Sequence, residues 1–467
     1  MKIKFLKPLL IIVLLIASIF QVTRLWFDEG SNRNFFYNFI EDRNETYGEI
    51  LNEDTPLLSP TIMAVYYPSK EISYVINSTR GEYKELLLES RRFLQEVIYQ
   101  GNNEGISVVD WEKFWTQRSI IMKIPFYMSV DMLLEDTQIT KDVDEKEYLF
   151  NYVIITPSNE RKGSSICYLV NDEEGQMMEI ALNNNQLQYN SEVIALTDNI
   201  YNKESFPKYS LSKKHIQGYS TKFDELFNQN VFLPTGVDIK YGSQKISRYF
   251  LEEESINIAE LENYINNYFS NPSAKYLVED DNVFTYKDEQ TIVKYNTSGV
   301  VEFTDIRVDR RDEKIKLPQA YRQAKEFLDN DSLLRGQEYY LSDYNIYDKE
   351  IELFFNYRFK DFDAVLSDGL KEEIGIDYPI EIKIKGGKIV NYKRWLIKND
   401  EVMNMFDFQE IESLDYRMLL DQYIEQYPEE TSPINNLYLA YYIDDIDEEH
   451  KVVCVIESND LYLIDLE

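Results

Sequence analysis

The sequence predicts an α+β protein, in which a single N-terminal transmembrane helix precedes an ectodomain of antiparallel β-sheets with helices packed on one face. Three patterns predict it: an uncharged apolar run near the start, strand-like apolar runs separated by turn residues, and helical apolar periodicity between those runs. Hydrophobic residues make up 44% of the 467 residues, which is typical of a globular chain with a core.

The first segment, MKIKFLKPLLIIVLLIASIFQVTRLWFDEG, has the length and flanks of a membrane anchor. From Phe5 to about Arg24 it provides roughly the 20 residues that a helix needs to cross a bilayer. The residues after the apolar run do not form the small-x-small site of a cleaved signal, and no cysteine there permits lipoprotein processing. We therefore predict an uncleaved helix rather than a signal peptide.

Charge around this helix predicts its orientation. Three lysines precede it, and acidic residues accompany the arginines that follow, which places the N-terminus in the cytoplasm. The prediction is a cytoplasmic start at 1–7, a transmembrane helix at 8–27 and a polar juxtamembrane connector at 28–60. The protein is then a single-pass protein of the cell membrane, with the bulk of the chain extracytoplasmic.

The remaining chain is strongly acidic, with 83 Asp and Glu against 49 Lys and Arg and a formal charge of −34. Nucleic acid is excluded as a partner, because phosphate binding needs basic patches. Anionic lipid would repel such a surface, so the helix is the predicted membrane attachment. Cys167 and Cys454 could form one bridge, but both lie in apolar strand-like runs, which favours free buried thiols.

Residues 61–272 form a predicted N-terminal region of one or two α+β domains. Strand-like runs surround a helix whose apolar face consists of Tyr83, Leu86, Leu87, Leu94, Val97 and Ile98. One later run, SSICYLVNDEEGQMMEIAL, is predicted to fold back at Asp172 to Gly175. A second helix has Ile258, Leu261, Ile265 and Tyr268 on one face and ends before Asn271-Pro272-Ser273, the clearest boundary signal in the chain.

Residues 276–467 form a predicted C-terminal α+β domain that begins with a three-stranded meander and contains a hairpin at Gly386-Gly387. One helix starts at Pro318, and another is capped by Ser413 and runs to Gln426. Each of these helices is followed by two strands around an acidic turn. A helix-hairpin unit therefore occurs twice.

No catalytic constellation is present in the sequence. The only histidines, His215 and His450, lie in unrelated contexts, so zinc-hydrolase and Ser-His-Asp schemes lack their parts. The stretch from Gly386 to Lys388 lacks the remainder of a phosphate loop, and the carboxylates from Asp445 onward lack the glycine and glutamate of a calcium loop. A carboxylate pair for glycoside hydrolysis stays open, although no pair is marked out. We predict a non-enzyme without catalytic residues, metal or cofactor.

The order of these parts resembles the YycH family, membrane-anchored accessory regulators of the WalK-type (YycG) sensor histidine kinase. The resemblance covers the basic start, the span ending in RLWF and the segment RSIIMKIPFYMSV. The C-terminal third resembles the sister protein YycI, through IEIKIKGGKIVNYKRW and the closing LYLAYYID and VVCVIESNDLYLIDL. Val453-Cys454-Val455 departs from the Pro-Val-Trp-like strand expected there. The resemblance implies a complex with a YycI-like protein and the kinase.

Two sets of residues are candidates for partner contact. Ala17, Ser18 and Gln21 share one face of the predicted span, where small and polar side chains permit close helix packing. The alternative is that Gln21 only reaches the outer headgroups. Acidic turns from Asp343 to Glu350 and from Asp444 to Glu449 are candidate docking sites, unless they only keep the surface soluble. Their candidate residues are Asp343, Asp348, Asp444, Asp445 and Asp447.

A second class of function also fits the sequence. An anchored extracytoplasmic protein could be a cell-wall enzyme or an inhibitor of a wall hydrolase. A gene position beside a histidine kinase and response regulator favours the regulator, whereas a position beside wall hydrolases favours this alternative.

Overall fold

The structure is a computed structural model. It describes residues 57–78, 80–141, 145–158, 164–183, 190–203, 206–211, 216, 218–219, 222–228, 230–252, 255–280, 282–307, 314–401, 408–446 and 448–466. The predicted transmembrane helix, with Ala17, Ser18 and Gln21, lies outside these residues, as do His215 and Asp447. Within the described residues, no helix is both long and apolar enough to cross a membrane.

The first half of the described chain alternates strands with four helices of varied length and ends in a fifth. In chain order its elements are β1 (Ile62–Tyr67), β2 (Ile72–Ile76), α1 (Gly81–Gln100), β3 (Asn102–Val108), α2 (Trp111–Phe114), β4 (Ser119–Ser129), α3 (Val130–Asp136), β5 (Leu149–Thr156), β6 (Ser164–Asn171), β7 (Gln176–Asn183), α4 (Asn190–Lys203), β8 (Lys208–Leu211), β9 (Phe232–Gly242), β10 (Gln244–Arg248), β11 (Leu251–Glu252), β12 (Ser255–Ile256) and α5 (Ile258–Ile265). A 3₁₀ turn at Asn266–Tyr268 extends α5.

The second half is richer in strands. Its elements are β13 (Tyr276–Asp280), β14 (Val283–Lys287), β15 (Thr291–Asn296), β16 (Val300–Asp305), α6 (Leu317–Asp329), β17 (Glu338–Ile346), β18 (Glu350–Phe359), β19 (Phe362–Leu366), α7 (Asp368–Ile374), β20 (Ile380–Lys385), β21 (Lys388–Trp395), β22 (Ile397–Glu401), β23 (Phe408–Asp415), α8 (Tyr416–Gln426), β24 (Asn436–Ile443), β25 (Glu449–His450), β26 (Val452–Glu457) and β27 (Leu461–Asp465). The fold is α+β with mostly antiparallel sheets, as predicted.

The N-terminal sheet contains ten strands among the described residues, in the order β23-β9-β8-β2-β1-β4-β5-β6-β7-β3. Every pair of neighbours in it is antiparallel. The hairpin predicted at Asp172 to Gly175 is confirmed, since β6 and β7 pair on either side of it.

Both faces of the N-terminal sheet are buried under helices. On one face, Leu86 and Leu94 of α1 belong to the same apolar cluster as Met63 and Ile155. On the other face lies α2, where the Phe114 ring is 4.7 Å from that of Tyr168. The prediction that helices cover one face only is wrong for this sheet. The cause is visible in uninterrupted apolar runs, which direct side chains to both faces because successive residues of a strand alternate.

The C-terminal sheet contains twelve described strands, in the order β13-β14-β15-β16-β21-β20-β18-β19-β24-β26-β27, with β17 also paired to β18. Its strands alternate between a buried and a half-buried face, most regularly in β18. Aromatic rings from α5, its 3₁₀ extension and α6 pack on the buried face, where Phe327 lies 5.0 Å from Tyr392 and Tyr321 lies 6.3 Å from Phe355. The opposite face carries ion pairs such as Lys383 with Glu352 at 2.6 Å.

Strand pairing joins the two halves of the chain. β23 follows the C-terminal sheet in sequence but pairs with β9 at the edge of the N-terminal sheet. β10, which precedes residue 272, pairs with both β22 and β25, which follow residue 276. The predicted domain limits of 61–272 and 276–467 stay predictions, and strands cross between them in both directions.

Two predictions about helix residues differ from the structure. Ser413 does not cap a helix, because it lies in β23 with a φ of 59°. The N-cap of α8, which begins at Tyr416, is Asp415, whose side chain accepts a hydrogen bond from the Arg417 N–H at 3.0 Å. Ser413 is displaced because its own N–H donates to Asp238 across the strand pair. Ile258, predicted on the buried face, is 42% exposed because it is the first residue of α5.

Several other local predictions are confirmed. The hairpin at Gly386-Gly387 has the positive φ values, 54° and 74°, that two-residue turns require. Both cysteines are free and buried, and burial raises the pKa of each thiol above its usual range.

A buried ion pair lies at the centre of the helix-covered face of the C-terminal sheet. Arg394 of β21 donates from Nη1 to Asp331 Oδ2 at 2.6 Å, and both side chains are 0% exposed. Asp331, two residues after α6, also accepts from the hydroxyls of Tyr264 at 2.9 Å and Tyr392 at 3.2 Å. Arg394 uses its remaining nitrogens on Tyr357 and on the carbonyl of Leu333. The cluster thus ties α5, the end of α6 and two strands together.

Removing one partner of this pair leaves a buried charge without compensation, which costs about 3–5 kcal/mol. We expect Arg394→Met to lower the free energy of unfolding by that amount in urea titrations. Lys371→Met is the matched control, because its pair with the 96% exposed Asp368 side chain should contribute at most about 1 kcal/mol. Equal losses for the two variants would contradict a central role for the buried pair.

Candidate functional site: the cleft between the two sheets

The two sheets meet along β4 and β17. Tyr344 donates its hydroxyl to the carbonyl of Tyr127 at 2.6 Å, and its ring packs edge-on against Phe126 at 5.6 Å. Lys316, just before α6, forms an ion pair with Glu135 of α3. A hydrogen bond of 2.8 Å from Tyr441 of β24 to the Gly242 carbonyl of β9 adds a further link. These contacts hold the sheets at a distance that leaves a cleft beside them.

The cleft has two lobes that share the residues Thr61, Ser78, Tyr340 and Arg358. The larger lobe, of about 510 Å³, lies between strands of both sheets. The smaller lobe, of about 330 Å³, lies between residues 59–61, α1 and the segment from α6 to β17. Concave sites of this size between structural units are a usual place for ligands.

Arg358 lies where the two lobes meet. Its Nε donates to Asp363 Oδ1 at 2.8 Å, and its Nη1 donates to Ser78 Oγ of the opposite wall at 3.1 Å. The guanidinium also lies 4.7 Å from the centre of the Tyr340 ring, a cation-π distance. Burial by itself would lower the pKa of Arg358, but the Asp363 carboxylate and Tyr340 outweigh burial and raise it. The Arg358–Ser78 bond therefore bridges the walls with a permanent positive charge.

Lys123 of β4 provides a second cation in the larger lobe. Its Nζ lies 5.7 Å from the centre of the Tyr152 ring. Burial lowers the pKa of Lys123, but Tyr152 and the carboxylates of Asp172 and Glu457 outweigh burial, so the pKa is raised overall. Asp172 is fixed by hydrogen bonds of 2.8 Å to its Oδ1 from Tyr127 and Asn151.

A bulge in β4 shapes this wall. The register of β4 against β5 shifts between Lys123 and Met128, so residues 124–127 bow out of the ladder around Pro125. Proline lacks the N–H that a ladder requires, and bulges re-aim nearby side chains. Here the bulge brings Pro125 and Tyr127 to the lining of the larger lobe.

The start of the described chain is fixed beside the smaller lobe. The Asp136 carboxylate accepts from the N–H groups of Leu57 at 2.7 Å and Leu58 at 3.2 Å. Tyr83 of α1 donates to the Pro60 carbonyl at 2.6 Å. Residues 57–60 are the last residues of the predicted connector, and they lie next to the cleft.

The structure places the predicted docking residues in different settings. Asp343 lies within β17 rather than in a turn, because a bulge between Leu341 and Asp343 lets the strand continue to Ile346. Asp348 lies in the turn and pairs with Lys314 at 2.6 Å, with both side chains 70% exposed. This hydrogen bond from Lys314 holds the pKa of Asp348 below its usual range.

The second predicted turn follows β24. Asp445 Oδ1 accepts from the N–H of Ile446, and Asp444 Oδ1 lies 3.8 Å from Nδ1 of His450. His450 itself is buried in the short strand β25, opposite Gln244. The structure does not bring these turns together with the cleft lining, and within the described ranges no group of three or more His, Cys, Asp or Glu side chains could hold a metal ion.

Lys123 and Arg358 are site residues that the predictions from the sequence do not include. Each has a signal in the sequence, since Lys123 interrupts the apolar run SIIMKIPFYM and Arg358 interrupts LFFNYRF. A charge within an apolar strand needs a partner or a cleft. That the two charges approach one cleft depends on how the sheets are placed, which strand patterns do not encode.

Neither family models nor curated proteins give a match to this chain. Among solved structures, the crystal structure of YycH from Bacillus subtilis superposes with a TM-score of 0.54 at 14% identity, covering 88% of this chain and 96% of that one. A second, an uncharacterized protein from Eubacterium rectale, reaches a TM-score of 0.34 at 10% identity, covering 56% and 88%, which is too low to support an argument. The predicted resemblance to YycH is confirmed at the level of fold, and the resemblance of the C-terminal third to YycI stays a prediction.

Proposed function

We propose that the protein is a non-catalytic, membrane-anchored accessory regulator of a two-component system. In this proposal it adjusts the activity of a WalK/YycG-type sensor histidine kinase, together with a YycI-like partner. The observation that carries the proposal is the likeness in fold to YycH over 88% of the chain. The YycH family that the sequence resembles consists of such regulators. The predicted span at 8–27, with the bulk of the chain outside the cell membrane, provides the attachment that the role requires.

The geometry supports a path from the folded region to the span. The connector enters at residues 57–60, which are held by Asp136 and Tyr83 next to the cleft. Glu135, the neighbour of Asp136 in the chain, forms the ion pair with Lys316 that helps to join the two sheets. A change at the junction would therefore move the anchor point of the connector. We propose that this movement reaches the kinase through the span.

The exposed acidic turns are the proposed docking sites for the partner ectodomain. Asp348, Asp444 and Asp445 are exposed, and an acidic patch steers a basic partner surface with a strong dependence on salt. Asp447 belongs to the same proposed set by its position in the sequence. Asp343 also belongs to the proposed docking residues, but it lies in a strand near the first turn and not in the turn.

The first test concerns the span. Replacing Ala17, Ser18 and Gln21 together by leucine removes the small and polar face, which contributes about 0.5–2 kcal/mol to helix association in lipid. We expect kinase-dependent transcription in cells to change several-fold. Replacing Ile12, Ile16 and Ile19 by leucine, on the opposite face, is the matched control and should change nothing. Unaltered transcription with normal protein levels in the triple variant would refute the span contact.

The second test concerns the turns, and it uses the full chain because β23 and β10 pair across the predicted domain limits. Asp348→Asn combined with Asp444→Asn and Asp445→Asn should weaken co-purification of a YycI-like protein about tenfold at low salt and little at high salt. Glu104→Gln with Glu112→Gln, which removes exposed acids elsewhere, is the control. If both variants bind as the wild type does, the turns are not the docking site.

A further inference from the structure

The larger lobe of the cleft presents charges of both signs on its two walls. The N-terminal half contributes Lys123 and Asp172, and the C-terminal half contributes Arg358, Asp361, Asp363 and Glu457. Lining charges that fully neutralise one another need no ligand. What matters is therefore how much hydrogen-bonding capacity each group retains.

Both cations retain donors. Nη2 of Arg358 has no hydrogen-bond partner in the described part of the chain, since Asp363 and Ser78 occupy Nε and Nη1. Lys123 carries three N–H donors. It forms no ion pair with any described carboxylate; its electrostatic neighbours are the Tyr152 side chain and, farther off, the carboxylates of Asp172 and Glu457. The two walls together can thus bind one carboxylate group of a ligand.

Two carboxylates retain acceptors. The hydrogen bonds to Asp172 from Tyr127 and Asn151 both end on Oδ1, which leaves Oδ2 without a described partner. Glu457 accepts a hydrogen bond from the Tyr438 hydroxyl through Oε1 at 2.9 Å, which leaves Oε2 of Glu457 without a described partner. An ammonium group, with three donors, would satisfy these oxygens.

Amide side chains complete the lining. Asn77, Asn356 and Asn436 all border the lobe, and a primary amide carries a donor and an acceptor that match those of a peptide group. The main chain of β1, β8, β18 and β24 is already paired within the sheets. A ligand is therefore recognised through side chains and not by the addition of a strand.

We propose that the larger lobe binds a short peptide with free termini, whose carboxylate contacts Lys123 and Arg358 and whose ammonium contacts Asp172 and Glu457. The lobe, at about 510 Å³, has the size that holds a small ligand such as a tripeptide. An uncharged saccharide fits less well, because it would desolvate Lys123 and Glu457 without a compensating charge. Peptide binding is independent of the proposed regulatory role and can be present or absent whatever the kinase does.

The test exposes the purified full chain to a degenerate tripeptide library with free termini and measures retained peptides by equilibrium dialysis and mass spectrometry. We expect wild-type protein to retain a subset of the library. Lys123→Met should reduce that retention at least tenfold, because the variant loses the charge that contacts the carboxylate. Lys294→Met, at an exposed lysine of β15 outside the cleft, is the matched control and should retain the same subset.

Two further comparisons make the result decisive. A library with acetylated N-termini and amidated C-termini should not be retained, and neither should chitotriose. If circular dichroism shows that Lys123→Met is unfolded, Asn77→Ala replaces it as the cleft variant. The native Asn77 side chain forms no hydrogen bond with described residues, and we expect its removal to reduce peptide retention several-fold. The proposal is overturned if no free tripeptide is retained, if the blocked library or chitotriose is retained equally, or if the folded cleft variants retain the wild-type subset.

Discussion

The ion pair between Asp331 and Arg394 determines where several elements of the C-terminal half lie. Asp331 holds the end of α6, and Asp329, the last residue of that helix, accepts from the Tyr339 hydroxyl of β17 at 2.5 Å. β17 in turn supplies Tyr340 to both lobes of the cleft and Tyr344 to the sheet junction. Because both charges are excluded from water, the pair is stable only where hydrogen bonds compensate them, and each of the three guanidinium nitrogens of Arg394 forms one. The cleft therefore depends on an interaction that lies outside it.

The cleft differs in charge from the rest of the molecule. The chain carries a formal charge of −34, which repels acidic partners. Lys123 and Arg358 place two cations inside the cleft, where burial strengthens their interactions. In the two proposals above, the outer surface meets a basic protein partner, whereas the cleft binds a ligand with both charges. Residues 57–60, which end the predicted connector, lie beside the smaller lobe.

Much of the fold follows from sequence patterns. Helical periodicity predicts α1, α6 and α8, and turn residues predict the hairpins at Gly175 and Gly386, because these signals are local. The sequence does not reveal that β23 pairs with β9, or that β10 pairs with β22 and β25, since such pairings depend on contacts between distant residues. Ser413 shows the same limit: a distant partner, Asp238, holds it in a strand. The cleft is not predictable from strand patterns for the same reason, because its walls come from two sheets.

In the proposed role, the chain acts on a sensor kinase through the membrane. The most direct measurement is the autophosphorylation rate of a WalK/YycG-type kinase in lipid vesicles, with and without the full chain and a YycI-like protein. We expect the rate to change several-fold when the chain is in the same vesicles as the kinase, and to stay unchanged when the chain is in separate vesicles. If the rate is the same without the chain, with the chain in the same vesicles and with the chain in separate vesicles, and all proteins are inserted and folded, the proposed role is contradicted.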